Sequence, residues 1–106
     1  MARWYAVAAL DDIAAGSSAL LETDEGHLVA VWHLDDGRVL ATDDQCSHYF
    51  WSLHGAGRLD GNVVTCLGHD ARFDVVTGAA LCPPARLPLA TYEVAVDADG
   101  QVRVCA

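Results

Sequence analysis

The stretches Cys46-Ser47-His48 and Cys66-Leu67-Gly68-His69 decide how this sequence is interpreted. Each pair offers one thiolate and one imidazole, so together they supply two sulfur and two nitrogen ligands. This set suits a [2Fe–2S] centre in which two histidines replace two cysteines on one iron. It also suits structural zinc, which accepts two cysteines and two histidines. The two pairs therefore predict a metal centre.

The order of residues within each pair separates the two metals. Zinc sites usually pair Cys with Cys and His with His, whereas both pairs here are mixed, with Cys first. A mixed pair lets one loop reach both irons of a diiron cluster, which favours the [2Fe–2S] centre. A non-redox zinc-binding β module that uses the same four ligands is the alternative from a different class.

Size and charge limit the function further. The chain has 106 residues, which suits a single domain spanning 1–106, and carries a net charge of −9. This acidity argues against nucleic acid and against an anionic membrane surface, and it favours docking onto a basic protein partner. No apolar run approaches the roughly 20 residues of a membrane span, and the N-terminus does not resemble a signal peptide. We therefore expect a cytoplasmic, soluble protein in which the cysteines bind metal, although four cysteines could also pair as disulfides.

Turn signals at short intervals predict an all-β chain. Asp60-Gly61 predicts a two-residue hairpin, and the short segment 10–15 is the only helix candidate. Alternation places Tyr92, Val94, Val96, Val102 and Val104 on one buried face. The expected architecture is a small antiparallel β-sandwich, with the two ligand pairs on loops that follow two of its strands. The predicted strands are 4–8, 18–22, 27–34, 38–42, 57–59, 62–65, 72–76, 91–96 and 102–104.

Other histidines and cysteines compete for the ligand positions. His54 lies eight residues after Cys46 and is interpreted as an exposed loop residue. His27 and His33 flank or lie in a predicted strand and are interpreted as surface residues. Cys82 and Cys105 have no nearby histidine and are interpreted as packed thiols.

The motifs around these pairs resemble those of Rieske ferredoxins, in particular the small ferredoxins of bacterial aromatic ring-hydroxylating dioxygenase systems. The resemblance covers most of the chain. It rests on Cys46-Ser47-His48, Leu53, Gly57, Cys66-Leu67-Gly68-His69, Arg72-Phe73-Asp74, Thr77-Gly78, Pro83-Pro84, Leu89, Tyr92, Val94 and Gly100-Gln101-Val102.

The resemblance implies a role and a set of ligands. Cys46 and Cys66 would hold the inner iron of a Rieske [2Fe–2S] cluster, and His48 and His69 the outer, more exposed iron. The chain would be a monomeric electron carrier without a catalytic site of its own. It would take electrons from an NAD(P)H-dependent reductase and pass them to a terminal oxygenase. A diiron aromatic monooxygenase is an alternative partner that the sequence does not exclude.

Two departures from the family pattern affect the loops. The second arm usually reads Cys-Pro-x-His-Gly, but Leu67 and Asp70 replace the proline and the final glycine. Gly68 is therefore expected to restore the backbone freedom lost at position 70. The first arm carries the bulky run Tyr49-Phe50-Trp51, which could serve either as core or as a docking surface.

Overall fold

The computed structural model describes residues 3–45, 52–67, 70–82 and 87–106, and it consists mainly of antiparallel strands. The predicted all-β fold is confirmed. The strands are β1 Trp4–Ala9, β2 Ser17–Glu22, β3 Leu28–His33, β4 Val39–Asp43, β5 Gly57–Asp60, β6 Val63–Cys66, β7 Ala71–Asp74, β8 Ala80–Cys82, β9 Thr91–Val96 and β10 Gln101–Cys105. A 3₁₀ turn spans Leu10–Asp12 and a short helix, α1, spans Leu53–Ala56.

The strands form two sheets. Six of them lie in the order β1-β10-β9-β4-β3-β2, and the other four lie in the order β5-β6-β7-β8. All of the paired strands are antiparallel, so tight turns can connect neighbours. Among the described residues no helix is long and apolar enough to cross a bilayer.

Strand β3 is shared by two hydrophobic cores because both of its faces are buried. Val29 and Val31 point into a core with Val102 and Val104 inside the six-stranded sheet. The alternate residues of β3, such as Trp32, point to the other face and pack in a second core beneath the four-stranded sheet. The Trp32 indole N–H donates to Thr42 Oγ1 at 3.0 Å, which satisfies the ring's polar atom inside the protein.

The structure corrects several details of the predicted elements. The hairpin loop is Gly61-Asn62 rather than Asp60-Gly61, because Asp60 still pairs with Val63. Gly61 has a φ of 58°, the positive value that this tight turn requires at its first position. The helix candidate at 10–15 is only a 3₁₀ turn, and α1 and β8 were not predicted.

The predicted buried face of the C-terminal hairpin is correct in part. Val102 and Val104 are fully buried, and Tyr92 and Val94 pack partly buried against the same core. The prediction for Val96 is wrong, since this side chain is 42 % exposed. Val96 ends β9, where within the described strands it is paired only with β10.

Candidate metal centre

Cys66 is the one proposed ligand that lies within the described residues. It ends β6, and its backbone pairs with Gly57 on one side and with Ala71 on the other. The sequence placed it on a loop after the strand, whereas it is the strand's last residue. Its side chain is fully buried, and the thiol forms no disulfide with the described cysteines. Cys66 therefore offers a sulfur ligand in an environment that excludes water.

The chain turns back on itself directly after Cys66. The Asp70 N–H donates to the Cys66 carbonyl at 2.8 Å, and Ala71 then pairs with Cys66 in β7. Asp70 adopts a left-handed conformation with a φ of 59°. Aspartate tolerates this conformation better than most residues with a side chain, but glycine adopts it at no steric cost. Gly68, which was expected to restore the backbone freedom lost at position 70, lies outside the described residues. Leu67 is 62 % exposed at the start of the turn, and His69 lies outside the described residues.

The base of the first ligand loop is closed by a set of backbone contacts. Cys46, His48 and the run 49–51 lie outside the described residues. On either side of this segment, Gln45 forms a bridge with Ser52, and the Asp44 carbonyl accepts from the Leu53 N–H at 2.7 Å. The loop therefore leaves and rejoins the fold at the same point.

Helix α1 connects the bases of the two loops. Its first residue, Leu53, is fully buried in the same core as Cys66. The residue after it, Gly57, pairs with Cys66 in the β5–β6 ladder. A Cβ atom on Gly57 would lie 2.3 Å from the Leu53 carbonyl oxygen, so a larger residue does not fit without backbone movement. The fold thus brings together the starts of two loops that are distant in sequence.

A comparison of sequences decides the family. The profile of the Rieske [2Fe-2S] domain matches residues 3–93.

The chain belongs to the Rieske [2Fe-2S] domain family.

Individual Rieske relatives agree with this assignment. The chain is 41 % identical over 96 residues to the ferredoxin component of the p-cumate 2,3-dioxygenase system of Pseudomonas putida. This alignment covers 91 % of this chain and 80 % of that protein. It is 39 % identical over 88 residues to the biphenyl dioxygenase ferredoxin subunit of Pseudomonas sp. (strain KKS102), with 83 % and 79 % covered.

Solved structures show the same Rieske fold. The ferredoxin of carbazole 1,9a-dioxygenase from Nocardioides aromaticivorans IC177 matches with a TM-score of 0.87 and 33 % identity, covering 95 % of both chains. A chain in the complex of reduced oxygenase and oxidized ferredoxin in carbazole 1,9a-dioxygenase matches with a TM-score of 0.88 and 35 % identity, covering 95 % of this chain and 91 % of that one.

The described part of the site fits a Rieske cluster. The buried Cys66 sulfur is the soft donor that iron–sulfur clusters require. The shared base of the two loops allows residues from both to converge beyond it.

Asp44 supports the first loop of this Rieske site in a way that the sequence did not reveal. It is 1 % exposed, and its Oδ1 accepts from the His54 N–H at 2.8 Å. Its Oδ2 accepts no hydrogen bond from the part of the chain that the structure describes. Alternation of buried and exposed residues along β4 does not predict this burial, because Asp44 lies one residue beyond the end of the strand at Asp43.

The histidines outside the two ligand pairs have other partners. His54 is exposed as predicted, but it lies in α1 rather than in a loop, and its Nδ1 lies 2.7 Å from Ser18 Oγ. His33 is half-buried rather than on the surface, with its Nδ1 2.6 Å from the Ile13 carbonyl oxygen.

His27 is exposed and belongs to a cluster with Asp43 and Tyr92. Its Nε2 lies 2.8 Å from Asp43 Oδ1 and 2.7 Å from the Tyr92 hydroxyl. Burial, and then the hydrogen bond that Tyr92 donates to Asp43, raise the pKa of Tyr92 well above its ordinary value. The phenol therefore stays protonated and holds the start of β9 to the end of β4.

The two remaining described cysteines differ in their surroundings. Cys105 is half-buried in β10 and free, as expected of a packed thiol. Cys82 is also half-buried, but its Sγ lies 3.7 Å from the Asp70 carbonyl oxygen. Cys82 thus supports the second ligand arm, a contact that the sequence did not predict.

Proposed function

We propose that this chain is a single-domain, monomeric electron carrier of a multicomponent oxygenase. It takes electrons singly from an NAD(P)H-dependent reductase and passes them to a terminal Rieske non-haem iron oxygenase that dihydroxylates aromatic rings. Its relatives are ferredoxin components of p-cumate, biphenyl and naphthalene dioxygenase systems. They favour this partner over a diiron monooxygenase, and the family favours an iron–sulfur cluster over zinc. We also propose a cytoplasmic location, because cysteines that bind metal rather than pair as disulfides suit a reducing compartment.

The proposed ligands are Cys46, His48, Cys66 and His69. The observation that supports them most strongly is the junction at Cys66, whose backbone partner Gly57 ends the helix that closes the first loop. Because the first loop closes at the start of α1 and the second begins at Cys66, which pairs with the residue after α1, a thiolate and an imidazole from each can meet in one place.

The chain's own residues would adapt this site to electron transfer. When bound, the cluster supplies reversible one-electron chemistry. The buried Cys66 side chain excludes water from the protein side of the site. The core that contains Trp32, Leu53 and Cys66 keeps the bases of the two loops fixed. The exposed Leu67 at the mouth of the second loop leaves this end of the protein open to a partner. We propose that the chain has no catalytic site of its own.

Electron transfer between purified components tests the proposal. The protein is reduced anaerobically and mixed with an oxidised aromatic-ring dioxygenase of a related system, and the absorbance of both proteins is followed by stopped flow. We expect reoxidation at a rate that rises with oxygenase concentration, and rapid reduction in turn by a ferredoxin reductase. The Cys66→Ala protein should carry no cluster and transfer nothing. A fully loaded wild-type protein that exchanges no electrons with any such oxygenase would contradict the proposed function.

A further inference from the structure

The outer face of the four-stranded sheet carries a row of two arginines. Residues of β5, β6 and β7 alternate between the core and solvent, and the inward positions include Val64, Cys66 and Phe73. The outward positions Arg58, Thr65 and Arg72 are directly paired across the three strands. The two arginines therefore flank Thr65 on one line, with their Cα atoms about 10 Å apart. We call these three residues the arginine row.

The arginines of the row differ from the other described arginines in lacking a partner. Arg3 pairs with Asp24 at 2.6 Å, Arg38 with Asp36 at 2.8 Å and Arg103 with Asp97 at 3.1 Å. Among the described residues, the side chain of neither arginine of the row forms an ion pair or a hydrogen bond, although both backbones pair with Thr65. The chain has fifteen acidic and six basic residues, so two exposed guanidinium groups that form no ion pair with the described residues are unusual in it.

The row lies beside the metal centre. Thr65 precedes the proposed ligand Cys66 in β6, and the exposed Leu67 follows it. A shallow groove of about 510 Å³ runs along this face and includes the row, Leu67 and the carboxylates of Asp60 and Asp70. Asp60 is paired with Val63 in the next row, away from the ligand loops. A partner that docks on the loops would therefore meet the arginine row at the edge of its contact.

We propose that the arginine row binds carboxylates on the surface of the terminal oxygenase when the two proteins dock. This inference rests on the proposed function and adds a surface to it. A guanidinium group binds a carboxylate through two parallel hydrogen bonds, and an unpaired one does not first have to leave another partner. Electron-transfer complexes bury little surface, commonly less than about 1,200 Å² in total, so two edge contacts are a substantial part of the interface.

The row also changes the expectation drawn from net charge. Overall acidity favours a basic partner, and Asp60 and Asp70 line the same groove as the row. The two unpaired guanidinium groups nevertheless favour carboxylates at this one point of the contact. Charges at the rim of an interface act mainly on the association rate, because they steer the two proteins as they approach. The local charge of the row would therefore influence how the oxygenase is oriented when it docks. The oxygenase would therefore be guided to the side of the molecule where the second ligand loop begins.

The test compares Arg58→Gln/Arg72→Gln with the control Arg103→Gln, which removes a charge from the six-stranded sheet. The second-order rate of electron transfer to the oxygenase is measured by stopped flow at several salt concentrations. The spectrum and reduction potential of each variant are recorded to show that the cluster is intact. We expect the double variant to be about tenfold slower at low salt and to approach wild type at high salt. Arg103→Gln should differ less than about twofold. In the double variant, transfer to the oxygenase should slow more than reduction by the reductase does.

Three results would overturn the inference. Equal rates for wild type and the double variant at low salt would show that the row does not contact the oxygenase. A loss confined to the reductase reaction would assign the row to that partner instead. Wild-type protein that transfers no electrons to the oxygenase would contradict the proposed function itself, and the inference with it.

Discussion

Asp70→Gly tests two physical effects at one position of the second ligand arm. Asp70 is exposed, and it is the one non-glycine residue with a positive φ in the part of the chain that the structure describes. Its N–H is bonded to the Cys66 carbonyl, so its position relative to the metal centre is fixed by the backbone. The substitution removes a charge and relieves a strained conformation at the same time.

The backbone effect should stabilise the protein. A left-handed conformation costs a residue with a side chain about 1–2 kcal/mol, and aspartate less than most. Glycine avoids this cost but has more freedom to lose on folding. The net gain in the free energy of unfolding is about 0.5 kcal/mol, enough to raise the melting temperature by roughly 2–4 °C in a chain of this size.

The electrostatic effect should raise the reduction potential. A negative charge close to the centre opposes the addition of an electron, so its removal favours the reduced form. At a separation of about 10 Å and an effective dielectric constant of about 40, the interaction is roughly 0.8 kcal/mol. For one electron this corresponds to about 35 mV.

Asp70→Asn is the matched control, because asparagine is uncharged and also tolerates the left-handed conformation. Potentials are measured by spectroelectrochemical titration and stabilities by thermal unfolding of the loaded protein. Both variants should show the higher potential, and only Asp70→Gly should melt at a higher temperature. An unchanged potential in both variants, with the cluster intact, would refute the electrostatic argument. A lower melting temperature of Asp70→Gly would refute the conformational one.

Three further predictions concern the site. His48→Ala should abolish the intact cluster, whereas His54→Ala should leave its spectrum nearly unchanged, because the His54 ring is bonded to Ser18; exchanged outcomes would contradict the proposed ligands. Gly57→Ala should lower the free energy of unfolding by about 1–3 kcal/mol and reduce cluster loading, because its Cβ would clash with the Leu53 carbonyl oxygen. Gly55→Ala should change neither, because its Cβ would meet Ser52 only at van der Waals distance. The reduction potential should be constant near neutral pH and then fall by about 59 mV per pH unit for each coupled proton, because ferric iron acidifies the N–H of the histidine ligands; a constant potential in strongly alkaline solution would contradict exposed histidine ligands.

Most of the strands could be predicted because their signals are local. Alternating apolar residues such as Val102 and Val104 mark the buried face, and Asp-Gly and Thr-Gly pairs mark the turns. Helix α1 gave no such signal, since four residues are too few to show a helical period and Gly55 lies inside it. Val96 was predicted incorrectly because alternation indicates which way a side chain faces, but not whether another element covers it.

The four ligands stay a prediction from ligand types and spacing, since only Cys66 lies within the described residues. The contacts that support the two loops depend on the fold. Asp43 and Asp44 are identical neighbours in the sequence, and only the three-dimensional path of the chain makes one of them buried. The arginine row likewise requires the register of two hairpins, because Arg58 and Arg72 are fourteen positions apart and meet only across Thr65.

The central claim, that the two loops hold a Rieske cluster, is tested most directly by the electron paramagnetic resonance of the reduced protein together with its metal content. Protein purified anaerobically should contain about two irons and two inorganic sulfides per chain. After reduction, its spectrum should show the low average g value of a nitrogen-ligated [2Fe–2S] centre. Stoichiometric zinc without iron, or a spectrum that indicates four sulfur ligands, would contradict the account.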